Sequence, residues 1–165
     1  MNWLLGLLGS ILLLAVALLI AGQLGLLQGR EPGRLGVSDG RLKPPSKTEN
    51  SVSSQAALHE GHPMQQGAMI DALPLRGTAA EAMAKLGELL RSLPGASVVT
   101  QRDDYLYAQF KSRWMGFVDD VEFWADPAAG VIQLRSASRL GRKDFGVNRA
   151  RIEDIRTRLA ALPAR

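Results

Sequence analysis

Phe117–Leu140 reads FVDDVEFWADPAAGVIQLRSASRL, and its alternation decides the fold. Apolar and polar residues alternate at period two from Phe117 to Ala125 and again from Val131 to Ser138. Between them Asp126-Pro127-Ala128-Ala129-Gly130 supplies turn formers, so the stretch predicts a β-hairpin. A loop of Pro127 to Gly130 pairs Asp126 with Val131, and therefore Phe123 with Leu134, Val121 with Ser136 and Asp119 with Ser138. Slipping by one residue would set Glu122 beside Leu134, so the hydrophobic pattern selects the first register.

Upstream, Ser97 to Gln101 and Tyr105 to Lys111 read as two more strands. The same loop length at Arg113 to Gly116 pairs Phe110 with Asp119, Ala108 with Val121, Leu106 with Phe123 and Tyr105 with Trp124. One inner face results: Leu106, Ala108, Phe110, Val121, Phe123, Ile132 and Leu134, with Asp119, Ser136 and Ser138 at one end. Asp120, Glu122, Gln133 and Arg135 alternate onto the other, wet face, where Glu122 opposes Arg135 as a cross-strand ion pair. Tyr105, Tyr107 and Trp124 share that face as an aromatic surface patch, open to the first helix, the bilayer or a protein partner; burial under the preceding arm is its default fate.

Two helices flank these strands. Thr78 and Glu81 form a capping box, and Ala79, Ala82, Met83, Leu86, Leu89, Leu90 and Leu93 recur at helical spacing until Pro94-Gly95. Asn148 to Leu162 closes the chain, with Ile152, Ile155, Leu159 and Leu162 on one stripe and Asn148 or Asp144 as cap. Arg149 and Arg151 sit in its first turn, where the helix dipole disfavours cations, so each requires a compensating partner. The class is α+β: an N-terminal membrane helix, then one antiparallel sheet of about four strands packed by two helices on one face.

The N-terminal run from Trp3 to Gly22 contains no charge. About 20 helical residues at 1.5 Å each span the roughly 30 Å hydrocarbon layer, so the run reads as a transmembrane anchor. A cleaved signal peptide is the rival, but no Lys or Arg precedes Trp3, and Ala15-Val16-Ala17 lies inside the apolar run. Residues 1–27 are thus the anchor, 28–66 a Gly-, Pro- and Ser-rich arm or linker, and 67–165 the α+β domain. Arg30, Arg34, Arg41 and Lys43 follow the helix, so the positive-inside rule favours a cytoplasmic domain.

Net charge is +4 over 165 residues, which suits anionic lipid head groups. Basic residues are scattered among acids, so no nucleic-acid partner is expected. Without cysteine the chain has no disulfide, thiol nucleophile or thiolate metal site. Two short motifs fail on context. Gly36-Val37-Ser38-Asp39-Gly40 matches a nucleophile elbow but lacks the flanking strand and helix, and His59-Glu60-Gly61-His62 is one residue short of a zinc-binding helix spacing.

At FVDDVEF, RSASR and GVNRARI the sequence resembles the bacterial and plastid family known as domain of unknown function 1499. The likeness runs from about Leu35 to Leu162 through LGVSDGRL, NSVSSQA, DDYLYAQF, GFVDDVEF, IQLRSASRLG and DFGVNR, in that order. It implies no reaction, cofactor or substrate. With the anchor, it implies a single-pass protein of a bacterial inner membrane. Relatives carry a cysteine pair framing NSVSSQ, where this chain has Pro45 and Ser51; the implied lost disulfide points to an extracytoplasmic domain, against the basic-residue rule.

Asp119, Arg135, Ser136, Ser138, Arg139, Asn148 and Arg149 are the candidate ligand-binding cluster, gathered where the hairpin's open end meets the last helix. Three readings are open. Asp119 accepts an arginine as a polar lock between sheet and helix; the arginines and hydroxyls hold a phosphate or carboxylate; or Asp119 and Asp120 do acid–base work, although adjacent strand residues point to opposite faces. No catalytic residue, metal site or cofactor is assigned. A non-enzymatic membrane-anchored binding or assembly module is the favoured function, with a membrane-protein partner or anionic lipid; an enzyme or anion-binding domain is the alternative.

Overall fold

The computed structural model describes residues 2–163. An apolar helix, α1 (Asn2–Gln23), leads into an arm carrying β1 (Ser51–Ser53), a 3₁₀ turn (Ala56–Leu58) and β2 (Leu73–Pro74). Then come α2 (Ala79–Ser92), β3 (Ala96–Gln101), β4 (Tyr105–Lys111), β5 (Val118–Asp126), β6 (Val131–Ser138) and α3 (Val147–Ala161). The described strands form one antiparallel sheet in the order β1-β6-β5-β4-β3, with β2 also paired to β6. The α+β class is as expected, but the sheet gains β1 and β2, which the sequence pattern missed.

Both hairpins adopt the expected register. Phe123 faces Leu134 and Asp119 faces Ser138 across β5–β6, while Tyr105 faces Trp124 and Phe110 faces Asp119 across β4–β5. The β5–β6 turn is fixed by the Asp126 carboxylate, which accepts the Ala129 N–H at 3.1 Å. The inner row from Leu106 to Leu134 is buried against Met83, Leu86 and Leu90 of α2 and Ile152 and Ile155 of α3. Phe123 is fully enclosed, a burial that contributes about 2–3 kcal/mol. The Thr78–Glu81 capping box forms at the start of α2 and satisfies the Thr78 and Glu81 N–H groups.

The start of α3 differs from expectation. Gly146 is the N-cap and Asn148 lies inside the first turn, fully buried, because its side chain is drawn to the sheet. Asp144 still serves the helix end, accepting the Asn148 N–H at 2.9 Å and the Gly146 N–H at 3.0 Å.

The arm is not a free linker. β1 hydrogen-bonds to β6, and Leu42, flanked by Leu35 and Val37, lies over the outer face of the sheet on Tyr105, Tyr107 and Trp124. Gln55 clamps this layer, accepting the Leu42 N–H at 2.8 Å and donating to the Gly40 carbonyl at 2.9 Å. The folded unit therefore includes residues well before 67. The Gly36–Gly40 stretch holds a tight turn, with Ser38 bridged to Arg41 and positive φ at Asp39 and Gly40, the backbone of a two-residue hairpin turn and not of a nucleophile elbow.

From Trp3 to Gln23 the chain is helical and long and apolar enough to cross a membrane. Its C-terminal end docks on the β4–β5 turn. Gln23 Nε2 donates to the carbonyls of Arg113 and Trp114, each at 3.0 Å, and Gly22 meets Met115 and Gly116 backbone to backbone.

Candidate functional site

Alternation places adjacent signature residues on opposite faces of β5 and β6, so the nominated cluster divides in two. On the inner face Asp119 accepts Nη2 of Arg151, reached across from the first turns of α3. The same guanidinium gives Nη1 to Asn148 Oδ1 at 2.8 Å and to Ser136 Oγ at 3.1 Å, and stacks 4.6 Å from the Phe110 ring. Ser136 donates to Asn148 Oδ1, while Asn148 Nδ2 gives to the Asn50 carbonyl, Ser138 Oγ and Asp144. The helix dipole's objection to Arg151 is thus answered by Asp119, which holds its guanidinium directly. Burial opposes charge on Asp144, but the N–H groups of Asn148 and Gly146 and the Asn148 amide outweigh it and hold its carboxyl below the ordinary range.

The outer face carries a second network, which overturns the wet-face reading. Asp120 is 2% exposed and takes a two-pronged bond from Arg139, Nε to Oδ2 at 2.9 Å and Nη2 to Oδ1 at 2.7 Å. Tyr107 OH donates to the same carboxylate at 2.6 Å and accepts from Gln109. Burial, then the hydrogen bond to Asp120, pushes the Tyr107 hydroxyl up to about 12. The interaction with Asp120 raises Arg139 above an already high value, against the opposing effect of burial. Arg139 therefore sits on the opposite side of the sheet from Asp119.

Glu122 is fully buried beneath the arm. Its Oε1 accepts the Tyr105 hydroxyl at 2.8 Å and the Gly36 N–H at 2.7 Å, whereas Oε2 has no hydrogen-bond partner among the described residues. Burial, then Glu122, drives the Tyr105 hydroxyl well above its usual range. The expected Glu122–Arg135 ion pair does not form, although the two face each other in register. Arg135 instead turns its Nε to the Pro44 carbonyl at 2.9 Å, because the arm supplies an acceptor where water was expected. Its guanidinium is pulled below the usual arginine range by burial.

Arg149 lies apart, donating to the backbone carbonyls of Gly67 and Met69. Tyr105 and Tyr107 are buried and Trp124 is half-covered by Leu35, Val37 and Leu42, so the aromatic surface patch is an internal layer. Of the two histidines, His62 Nδ1 accepts the Met64 N–H, and no three His, Cys, Asp or Glu side chains converge among the described residues.

At the end of the sheet that α1 touches lies an open cavity of about 560 Å³. Phe110, Phe117, Val118, Leu140, Phe145 and Val147 wall it, and the Asp119–Arg151 pair and Ser138 lie among them. Sequence reasoning missed Phe145 and Val147. A lone Phe in Lys143-Asp144-Phe145-Gly146 has no periodic partner, and only its positive φ, a backbone fact, marks the position. The arrangement can hold a molecule with an apolar body and one polar end. It offers no nucleophile with a matched base, since Asp119 is occupied by Arg151 and Asp120 points away.

No curated protein and no solved structure matches the chain. The family described as Protein of unknown function (DUF1499) matches residues 41–159, a span that contains both polar networks, the arm strand β1 and most of α3. The chain belongs to that family.

Proposed function

We propose that the protein is a single-pass, membrane-anchored binding module of a bacterial inner membrane, not an enzyme, and that its ligand site is the cavity at the anchored end. The observation that carries this reading is where the polar groups point. Asp119, Asp120, Arg135, Arg139 and Arg149 all spend their hydrogen bonds on the protein itself, while the open cavity beside Asp119 is walled mainly by apolar side chains. An anion-binding role for the arginines is disfavoured by the same partners. The anchor is supported by the charge-free helix and its poor cleavage site.

The test is purification of the full chain in mild detergent, with mass spectrometry of bound lipids and proteins, for the wild type and for Val147→Trp, which fills the cavity. A molecule enriched by the wild type and depleted by the variant supports the site; identical profiles refute it. Alkaline carbonate extraction in the same cells should leave the protein in the membrane, and release of a chain beginning near Gly22 would overturn the anchor. The side of the membrane is read with a single cysteine at Ala128 and an impermeant maleimide. Arg30, Arg34, Arg41 and Lys43 favour the cytoplasm, and the cysteine pair of relatives favours the outside.

A further inference from the structure

The two ends of the sheet differ in chemistry. At the end away from α1, the β3–β4 turn carries Asp103 and Asp104 beside Arg102, and the β5–β6 turn carries Asp126. At the end that α1 touches, Lys111, Arg113, Arg142 and Lys143 are exposed. The acids there are committed: Glu49 bridges to Lys143 at 3.0 Å, Asp144 caps α3 and Asp119 holds Arg151.

Large apolar side chains stand among these cations. Trp114 is 63% exposed and Phe145 94%, and Phe117, Leu140 and Val147 are also open to solvent. Phe145 is held outward by a backbone with φ of +54°, a conformation unfavourable for a bulky residue. Within the described chain only the Arg113 guanidinium over the Trp114 ring and Gly29 against Leu140 touch this group from outside, and it stays largely open to solvent. The turn that bears Trp114 is also the one to which Gln23, the last residue of the apolar helix, is hydrogen-bonded. Leu24 and Leu26, just past the helix, are exposed as well.

We propose that this end face lies on the bilayer from which α1 emerges, with Trp114, Phe117, Leu140 and Phe145 in the interfacial layer and Lys111, Arg113 and Arg142 at anionic head groups. The inference rests on the anchor reading above. Trp settles at the membrane–water interface because its ring is apolar and its N–H polar, Phe and Leu bury apolar area just beneath the head groups, and Lys and Arg are attracted to an anionic leaflet. Helix docking fixes the orientation, since the turn cannot leave the helix end without breaking both Gln23 bonds. The cavity walled by Phe117, Leu140 and Phe145 would then open at head-group depth.

The absence of cysteine permits a direct test on the full chain. Single cysteines replace Trp114, Phe145, Asp103 and Leu12, each exposed, and carry a nitroxide spin label in vesicles of phosphatidylethanolamine and phosphatidylglycerol. Power saturation compares collision with oxygen, which partitions into the bilayer, and with a water-soluble nickel chelate. Labels at 114 and 145 are expected to show an oxygen-to-nickel ratio about threefold or more above that at 103, approaching the ratio at 12. If 114 and 145 behave like 103 while 12 remains oxygen-rich, the anchor stands and the docking face is wrong. Protection from both reagents at 114 and 145 means that protein covers the face, which also overturns the proposal. Nickel access at 12 removes the anchor and the inference together.

Discussion

Neighbouring carboxylates on a strand serve different faces, and for Asp119 and Asp120 the two faces differ in how fully they exclude water. Asp120 and Arg139 have side chains 3% and 6% exposed, so Asp120→Asn strands a buried guanidinium and should cost about 3–5 kcal/mol. Asp119 and Arg151 are each 12% exposed, and Arg151 keeps Ser136 and Asn148 as partners, so Asp119→Asn should cost about 2 kcal/mol. Urea unfolding of the full chain in mild detergent ranks the two, and a smaller loss for Asp120→Asn would contradict this assignment. The tyrosines give an independent readout, because the chain has only two and both hydroxyls lie on buried carboxylates. Their protons are held more tightly in the folded state than in the unfolded chain, where the ordinary value is 10.0. Stability is therefore unaffected by them below about pH 10 and declines as pH rises toward about 12. Tyrosinate absorbance should appear together with loss of circular dichroism; titration near pH 10 in a chain that is still folded would show that the hydroxyls are solvated.

Elements with a strong period were legible, and short ones were not. The registers of β4, β5 and β6 follow from alternation and loop length, and α2 from its capping box and stripe, so the inner face with Asp119 at its end could be read directly, whereas the role of Asp119 and its arginine stayed open. The outer face could not, because β1 has three residues and β2 two, too few to show a period, and the arm between Leu35 and Leu58 has none. Polar residues at Asp120, Glu122 and Arg135 therefore resembled a solvated face, although each finds a partner in the arm or in a neighbouring strand. Leu42 is the apolar centre of that arm, 2% exposed over Tyr105 and Tyr107. Leu42→Ala should cost about 2–4 kcal/mol and loosen the layer. Limited trypsin digestion should then cut after Arg41 in the variant well before it cuts the wild type there, whereas the Lys43–Pro44 bond resists trypsin in both. Equal digestion rates would mean that the arm is held without Leu42.

At the scale of the whole molecule, the proposed docking on the bilayer depends on how firmly the domain is coupled to its helix. The joint is small: two hydrogen bonds from Gln23 and a glycine-to-glycine approach. A Cβ at Gly22 would come within 2.5 Å of the Met115 carbonyl oxygen, a clash with backbone that no side-chain rotation relieves. Gly116 has φ of +64° and faces the Gly22 carbonyl, so neither partner tolerates a larger residue without separation. Gly22→Val should therefore part the helix from the β4–β5 turn and leave the distant core of Phe123, Leu86 and Ile152 intact. Spin labels at Leu14→Cys and Asp103→Cys in the reconstituted chain should give a narrow distance distribution in an otherwise unaltered background and a broad one with Gly22→Val, at an unchanged unfolding midpoint. A distribution that is broad in both would show that the domain swings freely on its anchor, because two hydrogen bonds at a solvent boundary, each worth about 1 kcal/mol net, would then have been insufficient to hold it.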